Sequence, residues 1–126
     1  MLDTNLVIRL TELTPEMLPV RILVSCITIA ELSVGPAVSS SNNDRTARQR
    51  YLDRARESLD PRPFDDAAAL AFGRVAADLR AAGRTSTART FDALIAAAAI
   101  AEDVPLYTAN PDDFSNISGL TVVPVP

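Results

Sequence analysis

The chain has 126 residues, 48% of them hydrophobic, and a formal net charge of −4. This is enough apolar material for one folded domain with a substantial core. The chain contains no His and no Lys, so all 12 basic residues are Arg. These absences exclude Ser-His and Cys-His catalysis, His-rich zinc sites, Schiff-base chemistry and the phosphate-binding P-loop, which needs a Lys. Carboxylates, hydroxyls, amides and Arg remain for chemistry.

The chain shows no sign of a membrane segment or an export signal. No apolar run approaches the roughly 18 residues that span a bilayer, and the N-terminus lacks the pattern of a signal peptide. We therefore expect one domain, residues 1–126, in the cytoplasm. The single cysteine, Cys26, lies in an apolar stretch and is expected to be a buried small hydrophobe rather than a nucleophile.

Strand-like and helical patterns alternate along the chain. In order, the pattern predicts a strand end at 1–2, a helix over 5–13, a strand over 20–25, a helix from 28 to about 35, a helix over 44–58, an extended piece over 61–64, helices over 66–82 and 88–102, a strand over 104–108, a turn over 109–114 and a strand over 120–125. Such alternation favours right-handed crossovers and a parallel sheet. The predicted fold is a three-layer α/β/α sandwich with a short central parallel sheet.

Four local signals place helix ends. Thr28 and Glu31 have the spacing of a capping box. Asp44 and Asp65 are predicted N-caps of the helices that follow them. Gly83 is predicted to end the helix that begins after Asp65.

Acidic residues occupy positions where chemistry is expected. Asp3 follows the first strand, and ligands bind at the carboxyl ends of strands in open parallel sheets. Asp92 lies near the start of the most apolar helix, where burying a charged group costs free energy unless another interaction compensates for it. The helix dipole could explain Asp92, capping could explain Glu31, and turn chemistry could explain the Asn110–Asp113 segment. The alternative for all of them is a metal site.

Four motifs together resemble one family. They are Asp3-Thr4-Asn5 after a strand, Thr28-x-x-Glu31-Leu32, Gly83-Arg84 followed by Asp92-Ala93-Leu94-Ile95-Ala96-Ala97, and Thr108-x-Asn110-x-x-Asp113-Phe114. In this order they resemble the PIN-domain ribonucleases, and more narrowly the VapC-type toxins of toxin–antitoxin pairs. A departure is the two-residue strand before Asp3, where the family has a fuller one.

The resemblance implies a metal-dependent endoribonuclease. By motif, Asp3, Glu31 and Asp92 would form the acidic core that binds Mg²⁺, with Mn²⁺ as the alternative ion. The fourth acid is expected at Asp113 rather than Asp112, with Asn110 as a neutral helper. Thr4, Asn5 and Thr108 would support the site. The chemistry agrees, because a chain without His needs metal ions to activate water and to offset charge on a phosphate.

Two other protein classes that use acidic residues do not fit this sequence. A phosphatase with an aspartyl nucleophile, like the haloacid dehalogenases, needs a second acid two residues on and a Lys, but Asn5 stands there and the chain has no Lys. A response-regulator domain fails for the same missing Lys. A PIN-like module that has lost activity and only binds a protein or RNA partner remains the alternative.

The resemblance also implies partners: an RNA substrate, a cognate antitoxin and a second copy of the chain in a homodimer. The first three helices are expected to form a groove for an amphipathic antitoxin segment, and an antitoxin Arg could enter the acidic site. The Arg-rich helix over 44–58 is either a solvated face, with Asp53 and Glu57 paired to Arg, or a contact surface that includes Arg48 and Arg50.

Overall fold

The structure is a computed structural model that describes residues 1–126. Its helices are α1 (Thr4–Ile8), α2 (Cys26–Val38), α3 (Asn42–Glu57), α4 (Asp66–Ala81) and α5 (Thr90–Ala101), and its strands are β1 (Leu23–Ser25), β2 (Asp60–Arg62), β3 (Leu106–Thr108) and β4 (Val122–Pro124). Short 3₁₀ turns lie at Leu10–Glu12, Pro15–Met17, Thr87–Arg89 and Pro111–Phe114. No helix combines the length and the apolar character that crossing a bilayer requires.

The first three residues lie at the centre of the sheet. Strand β1 pairs in parallel with β2, and β3 pairs in parallel with β4. The Leu2 N–H donates to the Leu23 carbonyl at 2.9 Å, and the Asp3 N–H donates to the Tyr107 carbonyl at 2.9 Å. Residues 1–3 therefore join the two strand pairs, and the order across the sheet is β2, β1, residues 1–3, β3, β4.

Helices cover both faces of this sheet. Neighbouring residues of one strand belong to different cores, since Leu23 packs with α4 and α5 whereas Val24 packs with α1, α2 and α3. The same division separates Met1 from Leu2, because side chains alternate across a strand. Helix α5 is buried from Ile95 to Ala99, as its apolar sequence predicted. The predicted three-layer α/β/α sandwich is confirmed.

The early elements are shorter than the sequence predicted. The predicted helix over 5–13 is wrong in its second half, where the chain tightens into the Leu10–Glu12 turn, with the Leu13 N–H bonded to the Leu10 carbonyl at 3.3 Å. The spacing of the apolar residues in this segment is compatible with an α-helix and with a 3₁₀ turn, so it did not distinguish them. The strand predicted over 20–25 begins only at Leu23, because its partner β2 begins at Asp60, and Val20 is fully exposed.

Two predicted caps are wrong and one is confirmed. The Ser25 side chain caps α2 by accepting from the Ile27 N–H, so Thr28 lies inside the helix and makes no capping box with Glu31. Ser41, not Asp44, caps α3. Asp65 caps α4 by accepting from the Ala68 N–H at 3.0 Å. Serine hydroxyls reach the same donors as carboxylates, so residue type alone did not separate these candidates.

The expected burial of Cys26 is wrong, and α3 forms a different ion pair from those considered for its solvated-face alternative. Cys26 is exposed, because it occupies the first turn of α2 after the buried Ser25. On α3, Asp53 accepts from the Gln49 amide, and the ion pair joins Arg48 to Asp44 at 3.2 Å. The later elements match their predicted positions to within a few residues.

Candidate active site

Asp3 is fixed at the end of the central segment. It is 4% exposed and also caps α1, with Oδ1 accepting from the Thr4 N–H at 2.8 Å. Its Oδ2 accepts from the Thr108 hydroxyl at the end of β3, at 2.9 Å. Burial raises the pKa of Asp3, the two hydrogen bonds oppose that effect, and the charge of Asp113 adds to it. The carboxylate is thus oriented by the ends of two adjacent strands.

Glu31 is linked to the first helix through a chain of hydroxyls. The Thr4 hydroxyl donates to Glu31 Oε1 at 2.7 Å and lies 3.0 Å from the Thr28 hydroxyl. Because the Thr4 proton goes to Glu31, the Thr28 hydroxyl must be the donor to Thr4. Burial raises the pKa of Glu31, the Thr4 bond opposes this, and the charge of Asp3 adds to it.

Asp92 lies in the first turn of α5 and is the most perturbed acid. Its pKa is raised from 3.8 to about 6, first by burial and then by the charges of Asp3, Asp113 and Glu31, while Arg89 opposes the rise. A helix N-terminus favours a carboxylate, yet the pKa of Asp92 is raised by burial and by the neighbouring acids. Acids from four separate parts of the chain therefore affect one another at one edge of the sheet.

Asp113 sits on the 3₁₀ turn that follows β3, and two arginines hold this turn. Arg89 Nη1 donates to Asp113 Oδ1 at 3.1 Å. The Arg84 guanidinium donates to the carbonyls of Asp112 at 2.8 Å and Ser115 at 3.2 Å. One segment, residues 84–89, thus carries both arginines that restrain Asp113 and its turn.

The end of α4 aims Arg84 at that turn. Gly83 adopts φ +74°, a left-handed conformation that favours glycine. The Gly83 N–H bonds to the Arg80 carbonyl at 3.0 Å, and the Arg84 N–H bonds to the Leu79 carbonyl at 2.7 Å. These two bonds form a Schellman motif, which reverses the chain at the helix end. The predicted helix stop at Gly83 therefore also positions part of the site.

The predicted supporting residues have unequal roles. Thr4 and Thr108 bond directly to predicted site acids. The Asn110 N–H donates to the Thr108 hydroxyl at 3.0 Å, so Asn110 contributes through its backbone. The side chains of Asn5 and Asp112 are exposed, and no hydrogen bond joins them to the acids.

Sequence reasoning missed the role of Arg89. Its signal was available, because Arg89 lies three residues before Asp92, which is one helical turn. The contact between Arg89 and Asp113 depends on how α5 meets the turn after β3, and helical spacing alone does not reveal it.

The oxygen-only donor set suits a hard cation such as Mg²⁺. Burial raises the pKa values of Asp3, Glu31 and Asp92, and repulsion from neighbouring acids raises them further, as expected of carboxylates that share a site. However, no three acidic side chains are arranged to hold an ion as they stand. Both oxygens of Asp3 are bonded, and Arg89 engages one oxygen of Asp113. Binding an ion would require side-chain rotation toward a common point.

A groove lies between the first three helices and opens beside Glu31. It is lined by Ile8, Glu31, Leu32, Gly35, Arg48 and Tyr51. At Gly35 the helices α2 and α3 approach closely, because an added Cβ would stand 3.0 Å from Arg48 Cδ. Val34 and Val38, one turn apart on α2, are exposed large apolar side chains.

Comparison with known proteins gives consistent matches. The family model described as PIN domain matches residues 1–120. The chain is 30% identical over 114 residues to Ribonuclease VapC5 of Mycobacterium tuberculosis, which is 90% of this chain and 82% of that protein. It is 38% identical over 82 residues to Ribonuclease VapC8 of the same organism, which is 65% of this chain and 72% of that protein.

Solved structures resemble the whole chain. The crystal structure of the toxin–antitoxin system member VapBC-5 from Mycobacterium tuberculosis matches with a TM-score of 0.83 and 26% identity, covering 98% of this chain and 96% of that chain. VapBC2 from Rickettsia felis, bound to a DNA fragment from its promoter, matches with a TM-score of 0.80 and 26% identity, covering 100% and 98%.

Proposed function

We propose, from the premise that the chain belongs to the PIN domain family with relatives of the VapC type, that it is a divalent-metal-dependent endoribonuclease toxin. The observation that carries the proposal is the acidic set at the sheet edge, where Asp3, Glu31 and Asp113 all raise the pKa of Asp92. The family that the four sequence motifs predicted is confirmed. We propose that the chain needs a divalent metal ion for catalysis. The proposed location of the protein is the cytoplasm.

The proposed ligands of Mg²⁺ or Mn²⁺ are Asp3, Glu31, Asp92 and Asp113. A bound divalent ion would activate a water molecule and offset negative charge on the scissile phosphate. The chain's own part is orientation: Thr108 and Thr4 fix Asp3, Thr4 fixes Glu31, and Arg89 restrains Asp113. Such supporting bonds tune the ligands of a metal site.

The direct test is cleavage of total cellular RNA by the purified protein with Mg²⁺, with Mn²⁺ and with a chelator. We expect cut products only when a divalent ion is present, and none from the Asp92→Asn variant. Sequencing the ends of the products would identify the RNA. Binding to RNA without cleavage under every condition would favour the alternative, a PIN-like module that has lost activity.

The proposed protein partner is an antitoxin. Relatives were solved as VapBC assemblies, which supports this proposal. The groove between α1, α2 and α3 would hold an amphipathic antitoxin segment, and an antitoxin Arg would enter the acidic site and exclude the metal. Titrating the product of the neighbouring gene into the cleavage assay tests this. The antitoxin's Arg residues are then replaced by Ala. If the variant antitoxin still inhibits cleavage, the antitoxin acts by covering the groove and not by placing an Arg in the acidic site.

A homodimer is also proposed. Leu70 on α4 and Phe91 on α5 are 66% and 46% exposed, and a second copy would cover such apolar side chains. Light scattering after size exclusion should report twice the chain mass, and Leu70→Arg should shift it toward the monomer. A wild-type monomer at all concentrations would contradict the dimer.

A further inference from the structure

A second groove, which we call the arginine groove, lies between α4 and the segment that leads into α5. It has a volume of about 400 Å³, and the lining residues that matter here are Phe72, Leu79, Arg80, Arg84, Ser86 and Arg89. The floor is apolar and the rim carries three guanidinium groups and serine and threonine hydroxyls. No Asp or Glu lines it, although the whole chain carries a net charge of −4.

Two of the three guanidinium groups have no carboxylate partner. Arg80 is exposed and forms no ion pair. Arg84 donates only to backbone carbonyls, so its positive charge is not neutralised. Arg89 alone is paired, with Asp113. The arginine groove therefore holds uncompensated positive charge in an otherwise acidic protein.

The arginine groove continues into the acidic site. Arg89 lines the groove and also lines a neighbouring depression together with Ser86, Asp92 and Asp113. A polymer lying along the groove would therefore reach the proposed catalytic carboxylates. The positively charged arginine groove would attract RNA phosphates, whereas the acidic site alone would repel them. The groove is therefore suited to guide RNA toward the acidic site.

We propose that the arginine groove binds the phosphate backbone of single-stranded RNA on one side of the cleavage point, an inference that rests on the proposed ribonuclease function. Arg80 and Arg84 contact phosphates, and the apolar floor accepts an unpaired base. An apolar floor beneath a cationic rim suits single strands, whose bases are free to leave the stack. It does not suit a duplex, which offers only its phosphates and its groove edges.

The other candidate for an RNA path is the exposed face of α3. Apart from Arg48, the arginines of α3 line no groove. Arg48 is paired with Asp44 and donates to the Gly35 carbonyl. Arg48 also lines the groove beside Glu31. The structure therefore favours the arginine groove over α3 for RNA.

A matched pair of variants on α4 tests the proposal. Arg80 and Arg74 are both exposed, both lack a carboxylate partner and lie on the same helix, but only Arg80 lines the arginine groove. Arg80→Gln and Arg74→Gln are made in the Asp92→Asn background, in which no cleavage is expected. Fluorescence anisotropy with a labelled single-stranded RNA then gives affinity across a series of salt concentrations.

Arg80→Gln should weaken binding several-fold and reduce the slope of log affinity against log salt by about 0.7, the value for one phosphate contact on a single strand. Arg74→Gln should change neither. Equal effects of the two substitutions, or none, would overturn the proposal. A loss of antitoxin binding with RNA binding unchanged would also overturn it and mark the groove as a protein contact.

Wild-type cleavage is measured separately, so the two proposals can fail independently. If the wild type binds RNA through Arg80 but never cleaves it, the ribonuclease proposal is wrong and the proposal that the arginine groove binds RNA is supported. If the wild type cleaves RNA with Mg²⁺ and Arg80→Gln cleaves equally well at low substrate concentration, the proposed RNA binding by the arginine groove is wrong and the ribonuclease proposal is supported. Thermal melting of each variant confirms that the exposed substitutions leave the fold intact.

Discussion

The Thr4 hydroxyl stands 2.7 Å from Glu31 Oε1 and 3.0 Å from the Thr28 hydroxyl, so one side chain orients an acid and accepts a buried donor. We expect Thr4→Val to remove both bonds at nearly constant volume. Loss of a bond that orients a metal ligand costs about 10- to 100-fold in metal affinity or activity. The Mg²⁺ concentration needed for half-maximal cleavage should rise accordingly.

Thr4→Ser is the matched control, because it keeps the hydroxyl and deletes only a methyl group. It should retain most of the cleavage activity and the Mg²⁺ requirement of the wild type. If Thr4→Ser and Thr4→Val lose activity equally, packing around residue 4, which is 9% exposed, matters more than the hydroxyl.

Asp92→Asn should abolish cleavage and stabilise the metal-free protein at neutral pH. Burial and three neighbouring acids raise the pKa of Asp92 to about 6, so its charged form is unfavourable in the folded chain. Because the side chain is partly exposed, the gain is discounted to on the order of 1 kcal/mol, or roughly 3 °C in Tm. Differential scanning calorimetry in chelator measures it, and retained cleavage would show that Asp92 is not a ligand.

Stability without metal should fall as the pH rises through the acidic range. A carboxyl whose pKa is raised on folding stabilises the protein fully below its unfolded value, 3.8 for Asp92, and loses that contribution as the pH rises through about 6. The raised pKa values of Asp3 and Glu31 act in the same direction.

At the proposed site Mg²⁺ would bind the charged carboxylates, so it should raise Tm more at neutral pH than at about pH 5, where Asp92 is largely protonated. Thermal melts with Mg²⁺ and with chelator across this range test the linkage. Equal stabilisation by Mg²⁺ at both ends of the range would contradict a role for these acids in metal binding.

Asp113→Asn should reduce cleavage strongly, and Asp112→Asn should reduce it much less. The charge of Asp113 raises the pKa values of both Asp3 and Asp92, whereas the Asp112 side chain is exposed and only its carbonyl is used. The two substitutions change the same charge one residue apart, so each controls for the other. The reverse ranking in initial cleavage rates would reassign the fourth acid to Asp112.

Arg84→Ala should weaken Mg²⁺ binding as well as RNA binding. Arg84 is a positioning residue for Asp113, because it holds the carbonyls on either side of that residue's turn. Arg80→Ala removes a groove charge without this tether and should leave the Mg²⁺-dependent shift in Tm unchanged. Identical Mg²⁺ titrations for the two variants would indicate that the tether does not set the position of Asp113.

The fold was largely predictable because its patterns are local. Helix α5 is apolar on all sides and is buried, and helix α4 begins after Asp65 and is followed by Gly83 as expected. The limits of β1 were not predictable, since they depend on where β2, far along the chain, can pair with it. The predicted cap of α2 is wrong for a similar reason. Thr28 has a hydroxyl that could cap a helix, but in the fold this hydroxyl contacts Thr4.

The proposed site acids were recognisable in the sequence as acidic residues near strand ends and helix starts, and their mutual effects on pKa follow from the fold. The role of Arg89 was not, because its contact with Asp113 joins the start of α5 to the turn after β3. The structure also leaves the acids short of a ready ligand set. Side-chain rotamers depend on the surroundings of each residue, and the sequence does not record which rotamers the acids adopt.

The central position of residues 1–3 has a consequence during synthesis on the ribosome. The hydrogen-bond partner of Asp3, Thr108, follows it by 105 positions. The edge of the sheet that gathers the acids therefore cannot form until the segment that carries Thr108 has emerged. Such distant pairing also slows folding. The proposed ribonuclease site would therefore be incomplete in the nascent chain.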